Sequence, residues 1–287
     1  MTQRVVAILG QGVIDADAPA IRADDLGLTR GDGCFEATRV QTDEAGHHRI
    51  DHLAEHLDRF DRSSAGLDLP PVDRAAWLAL IDEALAHWTT PGEAMLRLML
   101  SRGRETQPDG PVTGVLTLLP MAPETQRQRR DGIDVITLDR GLPDAGFADR
   151  PWLLGGIKTL SYAINVAGLR EAKRRGAHDV LFVSSDGTVL EAPTSTAVWL
   201  TDGRLHTTPV ADSGVLASIT QQALFQAAER SGFETRETRA SVADLLTSDG
   251  LWLVSSGRGV GQVLTLDGRP IDTKPGLTAQ LSEFAGF

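Results

Sequence analysis

Trp152-Leu153-Leu154-Gly155-Gly156-Ile157-Lys158-Thr159-Leu160-Ser161-Tyr162 brings one lysine in behind an apolar, glycine-loosened approach, and Gly187-Thr188-Val189-Leu190-Glu191 then delivers a carboxylate at the end of an apolar strand. Lysine is scarce here: of 28 basic residues only Lys158, Lys173 and Lys274 are lysines, the rest arginines. Lys173 lies in a polar helical stretch and Lys274 in a turn before Pro275, both ordinary surface settings. Arginine cannot replace lysine where an amine must lose its proton and attack a carbonyl, whereas a desolvated lysine does so near neutral pH. Two readings of Lys158 stand at this level: a stem packed on apolar surface with its head in water, or a reactive amine.

Working outward, the second half reads as strand Ile133–Leu138, helix Tyr162–Arg175 ended by Gly176, and a hairpin of Val180–Ser184 with Thr188–Glu191 around Asp186-Gly187. A second hairpin, Ala197–Leu200 with Leu205–Thr207, turns at Asp202-Gly203. A helix over Ile219–Ser231 stops at Gly232, and Leu251–Val254 and Val263–Leu266 are late strands. In the first half, Val5–Leu9, Cys34–Val40, Ala94–Ser101 and Val115–Leu119 read as strands. Asp51–Leu67 carries Leu53, Leu57 and Phe60 on one helical face, and Asp73–Trp88 is a helix with Asp73 as N-cap. Polar Pro123–Asp131 reads as a connector. The expected organisation is residues 1–122 as an N-terminal α/β domain, 123–132 as a link and 133–287 as a C-terminal domain. The class is α+β or α/β, with the active site between the halves.

Composition narrows the function. A net charge of −11 argues against nucleic acid and anionic membrane as partners. The single cysteine, Cys34, excludes an intrachain disulfide and argues against a thiolate metal cluster. Neither a signal-peptide pattern nor a membrane-length apolar run is present, so a soluble cytoplasmic protein is expected.

Three further features join Lys158. Glu191 would suit a cationic pyridinium nitrogen, keeping that ring protonated as an electron sink. Ser218-Ile219-Thr220 opens a helix, whose N–H groups and hydroxyl suit a phosphate. Arg59 sits on the Asp51–Leu67 helix. Singly, each has a plain structural reading: a solvated strand end, a helix cap, a surface arginine. Together they are the parts needed to hold pyridoxal 5′-phosphate.

Their order, from Gly31-Asp32-Gly33-Cys34-Phe35-Glu36 to Leu264-Thr265-Leu266-Asp267-Gly268, resembles the fold-type IV pyridoxal-phosphate enzymes, the class IV aminotransferase family. That resemblance implies a two-domain, D-amino-acid aminotransferase-like fold whose C-terminal domain binds the cofactor in the cleft, and a homodimer. It implies that Lys158 links to the cofactor and is the catalytic group, that Glu191 binds the pyridine nitrogen, and that Arg59, Ile219 and Thr220 hold the phosphate. Ser195, Ser255 and Ser256 are expected beside the cofactor. Phe35, Arg39, Arg97 and Arg258 are expected to meet an anionic amine substrate. Two positions depart from the family pattern: Thr196 where asparagine is usual, and Gln221 where arginine is usual.

Gly-Asp-Gly-Cys-Phe followed by Thr38-Arg39-Val40 looks most like the lyase branch, which implies 4-amino-4-deoxychorismate lyase activity, giving 4-aminobenzoate and pyruvate for folate synthesis. Arg102-Gly103-Arg104 lacks the Arg-x-His trap of D-amino-acid aminotransferases. A branched-chain or D-amino-acid aminotransferase is the alternative. A rival of another class comes from His52-Leu53-Ala54-Glu55-His56, an inverted zinc-protease motif; no third ligand is evident, and no metal is expected.

Overall fold

The computed structural model describes residues 3–287. The chain folds as two compact units, Met1–Ala122 with Ile157–Tyr162, and Pro123–Gly156 with Ala163–Phe287. Lys158 therefore folds with the first unit although the sequence around it belongs to the second.

In the first unit, strands β1 (Val5–Ile8), β2 (Gly12–Ile14), β3 (Gly33–Thr42), β4 (His48–Ile50), β5 (Gly92–Ser101) and β6 (Thr113–Pro120) form an antiparallel sheet ordered β2-β1-β6-β5-β3-β4. Besides a short α1 (Leu26–Thr29), the helices are α2 (Leu53–Ala65) and α3 (Arg74–Ala86). Asp73 caps α3 as expected, accepting from the Ala76 N–H. Strand alternation sorts the faces. Ala94, Leu96, Leu98 and Leu100 of β5 are buried, with Leu57 and Phe60 of α2 and Trp77, Leu80 and Ile81 of α3. The Phe60 and Trp77 rings meet edge to face at 5.5 Å. Met95 and Met99 on the opposite face are only half-buried, and Arg97 is exposed.

In the second unit, β7 (Ile133–Asp139), β8 (Asp179–Val183), β9 (Thr196–Thr201), β10 (Arg204–Thr207), β11 (Glu234–Glu237), β12 (Gly250–Ser255), β13 (Gly259–Leu266) and β14 (Arg269–Pro270) form a mixed sheet. Its order is β11-β10-β9-β12-β13-β7-β8, with β14 beside β13. Both faces are covered: Leu251 and Leu253 of β12 join one core cluster, Trp252 and Val254 the other. The helices are α4 (Pro123–Asp131), α5 (Ala163–Arg174), α6 (Ile219–Arg230), α7 (Val242–Leu246) and α8 (Leu277–Phe284). The β9–β10 hairpin turns on Asp202 and Gly203, both at positive φ (52° and 75°), as the Asp-Gly dipeptide dictates.

Two expectations change. Pro123–Asp131, read as a polar connector, is helical: proline suits the first helical position, and Arg127 and Gln128 pair with Glu124 one turn back. Its Arg129 bonds two carbonyls of the second unit, Arg258 O (2.7 Å) and Gly257 O (3.0 Å), so polarity here marks a clamp. The return arm of the 180–191 hairpin is bridge-like rather than a full strand, though Leu190 N–H reaches Phe182 O and Phe182 N–H reaches Glu191 O, both at 2.9 Å. No helix among the described residues is long and apolar enough to cross a membrane.

Candidate active site

In the first unit the stretch 157–162 zips antiparallel onto the start of β3. Phe35 N–H donates to Lys158 O (3.0 Å), Leu160 N–H to Gly33 O (2.8 Å), and Cys34 bridges Thr159. Gly33 makes this approach feasible, since a Cβ there would stand 2.4 Å from Leu100 O and 2.7 Å from Leu160 Cδ1. The Lys158 N–H donates to Ser63 Oγ at 3.3 Å. Lys158 Nζ lies 4.4 Å from the Phe35 ring centroid and 5.8 Å from that of Tyr162, and the two rings meet edge to face at 5.2 Å. The apolar setting of the amine is thus made by Phe35 and Tyr162. Trp152, read as part of the desolvating approach, is instead 71% exposed and folds with the second unit. Tyr162 was missed as a site residue; its signal was that it is the only tyrosine in the chain.

Behind this lies a buried ionic cluster. Arg59 on α2 forks onto Glu36 of β3, Nε to Oε1 at 2.6 Å and a terminal nitrogen to Oε2 at 2.8 Å. His56 Nδ1 meets the same Oε2 at 2.7 Å. Burial pushes the Glu36 carboxyl up, but Arg59 and His56 together outweigh it and bring it from 4.5 down to about 2. Burial pushes His56 below its ordinary 6.5 against the pull of Glu36. Both groups are less protonated folded than unfolded, so the unfolded chain takes up more protons on acidification and stability falls. The loss begins through His56 as pH drops below 6.5 and continues through Glu36 between 4.5 and about 2. The chemical-denaturation midpoint should therefore fall between neutrality and pH of about 5, and His56→Asn should flatten that part. A midpoint that is flat there in the unmodified protein would contradict this assignment.

His56 spent on Glu36 also removes the zinc motif. His56 is buried while His52, at left-handed φ 50°, and Glu55 face outward. No group of three or more His, Cys, Asp or Glu among the described residues is arranged to hold a metal.

The proposed substrate arginines separate. Arg39, on the face of β3 shared with Phe35, is buried and occupied by Asp51 (2.6 Å) and Glu93 (2.8 Å), so it is structural. Arg102 and Arg104 are likewise paired, with Asp32 and Asp24. Arg97 is exposed, opposite Ala37 in register, and thus on the Phe35 face. Phe35 and Ala37 are two residues apart, about 7 Å along the strand. Arg97 therefore stands on the same face as Phe35, the ring that the Lys158 amine contacts.

In the second unit, the hairpin ends at Glu191, whose Oε2 accepts from the Leu216 N–H at 3.1 Å. Leu216 begins the short approach to α6. Ser218 caps that helix, its hydroxyl accepting from the Gln221 N–H, which leaves Ile219 and Thr220 N–H without intrahelical acceptors. Thr220 Oγ1 lies 3.0 Å from Ser256 Oγ, so the turn after β12 meets the helix start. Two backbone donors, two hydroxyls and the positive end of a helix make an anion cradle. Ser255 Oγ accepts from the Arg258 N–H at 3.3 Å and shapes this turn.

Arg258 and Ser195 do not join it. Arg258 is buried and bonded through each guanidinium nitrogen: to Asp179 (2.6 Å), Ser195 Oγ (3.2 Å) and Gln128 (3.2 Å). Asp179 has no exposure, so the arginine neutralises a buried carboxylate, and the Ser195 hydroxyl accepts from the same guanidinium. The two departures, Thr196 on β9 and Gln221 in the first turn of α6, leave these partners in place.

Comparison with known proteins gives a consistent grouping. The amino-transferase class IV family profile matches residues 33–266. A bifunctional aminodeoxychorismate lyase / D-amino acid transaminase of Mycobacterium tuberculosis is 41% identical over 280 residues, covering 94% of each chain. A hypothetical aminotransferase from Mycobacterium tuberculosis, solved with PLP bound, superposes with TM-score 0.91 at 40% identity over 98% of this chain and 97% of that one. A fold IV-transaminase from Curtobacterium pusillum gives TM-score 0.90 at 38% identity over 99% of both.

Proposed function

The chain belongs to the class IV aminotransferase family, and we propose that it is a pyridoxal 5′-phosphate enzyme acting as a 4-amino-4-deoxychorismate lyase. The donor set fits that cofactor: an amine on an aromatic platform, a carboxylate fixed by a backbone N–H, and a helix-start anion cradle. When bound, the cofactor supplies an electron sink conjugated to the amine-bearing carbon of the substrate.

Lys158 is the residue that would hold the cofactor through its amine, and once free of it that amine would take the proton from the amine-bearing carbon of the substrate. Glu191, fixed by the Leu216 N–H, would face the ring nitrogen and favour its protonated form. Thr220, Ser256 and the first N–H groups of α6, with Arg59, would hold the phosphate. The carbon–oxygen bond then breaks, the enolpyruvyl group leaves and is protonated to pyruvate, and aromatisation to 4-aminobenzoate drives the step; Lys158 returns the proton. Phe35 and Tyr162 keep water from the amine.

The observation that carries the substrate class is Arg97, a cation on the same sheet face as Phe35, the ring that the Lys158 amine contacts. The 41% identical bifunctional relative supports the lyase and also supports a second reading, amino-acid transamination through the same first proton abstraction. A homodimer is part of the proposal by family membership, and sedimentation analysis tests it. The deciding assay incubates cofactor-loaded protein with aminodeoxychorismate and follows 4-aminobenzoate without any keto acid. Catalytic product establishes the lyase. No product, with conversion to the pyridoxamine form by an amino acid, assigns transamination instead.

Arg97→Ala should raise KM for the anionic substrate about 10–100-fold, the worth of one charge-assisted hydrogen bond. Cofactor affinity should not change. An unaltered KM would take Arg97 out of the substrate site.

A further inference from the structure

Glu36, Arg59 and His56 form a buried cluster with no net charge: an anionic carboxylate, a guanidinium and a histidine held neutral by burial. A surface arginine contributes charge alone, but this one is forked, its Nε and one terminal nitrogen fixed on both oxygens of Glu36. The fork sets the plane of the guanidinium, while His56 takes a remaining lone pair of the carboxylate and stops it from rotating. The cluster therefore trades electrostatic attraction for orientation.

We propose that Glu36 and His56 are positioning residues that aim Arg59 at the cofactor phosphate; the proposal rests on the reading of Arg59 as a phosphate ligand. Its consequence is opposite to that of simple charge. Removing the Glu36 charge makes the site more positive, so a purely electrostatic arginine would bind phosphate more tightly. An aimed arginine loses its direction and binds more weakly.

The experiment titrates cofactor-stripped full-length protein with pyridoxal 5′-phosphate and with pyridoxal, which lacks the phosphate, following visible absorbance. The ratio of the two dissociation constants isolates the phosphate contribution and is insensitive to a general loss of packing. Glu36→Gln should cut that ratio about tenfold or more, as loss of an outer partner does at metal sites, with pyridoxal affinity retained. Glu36→Asp keeps the charge but is one methylene too short for the fork. It should fall likewise, and it serves where Glu36→Gln does not fold. His56→Asn, which keeps a donor, should stay within about twofold of the unmodified protein, while His56→Phe should fall with Glu36→Gln. A ratio unchanged or raised in both Glu36 variants overturns the proposal. If Arg59→Ala itself leaves the ratio unchanged, the phosphate reading of Arg59 fails first, and the two failures are told apart.

Discussion

Lys158→Arg is expected to reduce turnover by a factor of about 10²–10⁴, the range for loss of a proton-transferring group, while the protein stays folded. The substitution is informative because the surroundings tolerate it. Nζ sits 4.4 Å from the Phe35 centroid, a cation–aromatic contact that a guanidinium makes at least as well. Charge and position are thus retained. What is lost is an amine that sheds a proton to form the cofactor link and to move the substrate proton. Two measurements check this: 4-aminobenzoate formation with aminodeoxychorismate, and borohydride trapping of the cofactor on the peptide containing residue 158. Lys158→Arg should show neither. A Lys158→Arg protein that turns over at the original rate would return the lysine to its plain reading, a stem packed against aromatic rings.

Phe35 and Lys158 also show which parts of the candidate site a linear reading reaches and which it does not. Lysine scarcity, a strand-end Glu191 and a helix-opening Ser218-Ile219-Thr220 are local patterns, and local patterns survive in a linear reading. The long strands and α2, α3, α5 and α6 were legible for the same reason, through alternation, amphipathic spacing and caps. Contacts distant in sequence were not. Arg39 shares the Phe35 face as strand parity requires, but nothing in parity shows that Asp51 and Glu93 will reach it. Arg258 was expected to meet the substrate through the family resemblance, while its partner Asp179, which takes the guanidinium instead, stands on β8. Pro123–Asp131 has no apolar stripe, so periodicity could not announce a helix whose purpose is to set Arg129 on the 257–258 carbonyls. The aromatic platform under Lys158 needed strand pairing between residues 33–35 and 158–160, which a linear reading does not supply.

Arg258 yields the second large effect, and it runs opposite to that of a substrate ligand. Arg258→Ala leaves Asp179, which has no exposure, as an unpaired buried carboxylate, and strips Ser195 and Gln128 of their shared donor. Breaking such a pair from one side costs about 3–5 kcal/mol, a drop in melting midpoint of roughly 6–20 °C for a unit of this size. Replacing both partners by apolar residues, Asp179→Leu with Arg258→Met, should recover much of that loss, because no charge is then left buried alone. Arg97→Ala supplies the contrast: it is exposed, so its melting midpoint should stay near that of the unmodified protein while KM rises. Thermal unfolding of the four proteins, paired with substrate kinetics where they remain folded, separates the two arginines. If Arg258→Ala were as stable as the unmodified protein and defective only in KM, the buried pair would be incidental and Arg258 would rejoin the substrate site. The geometry argues the other way, because the guanidinium is buried and each of its nitrogens already has a protein acceptor, with Asp179 neutralising its charge.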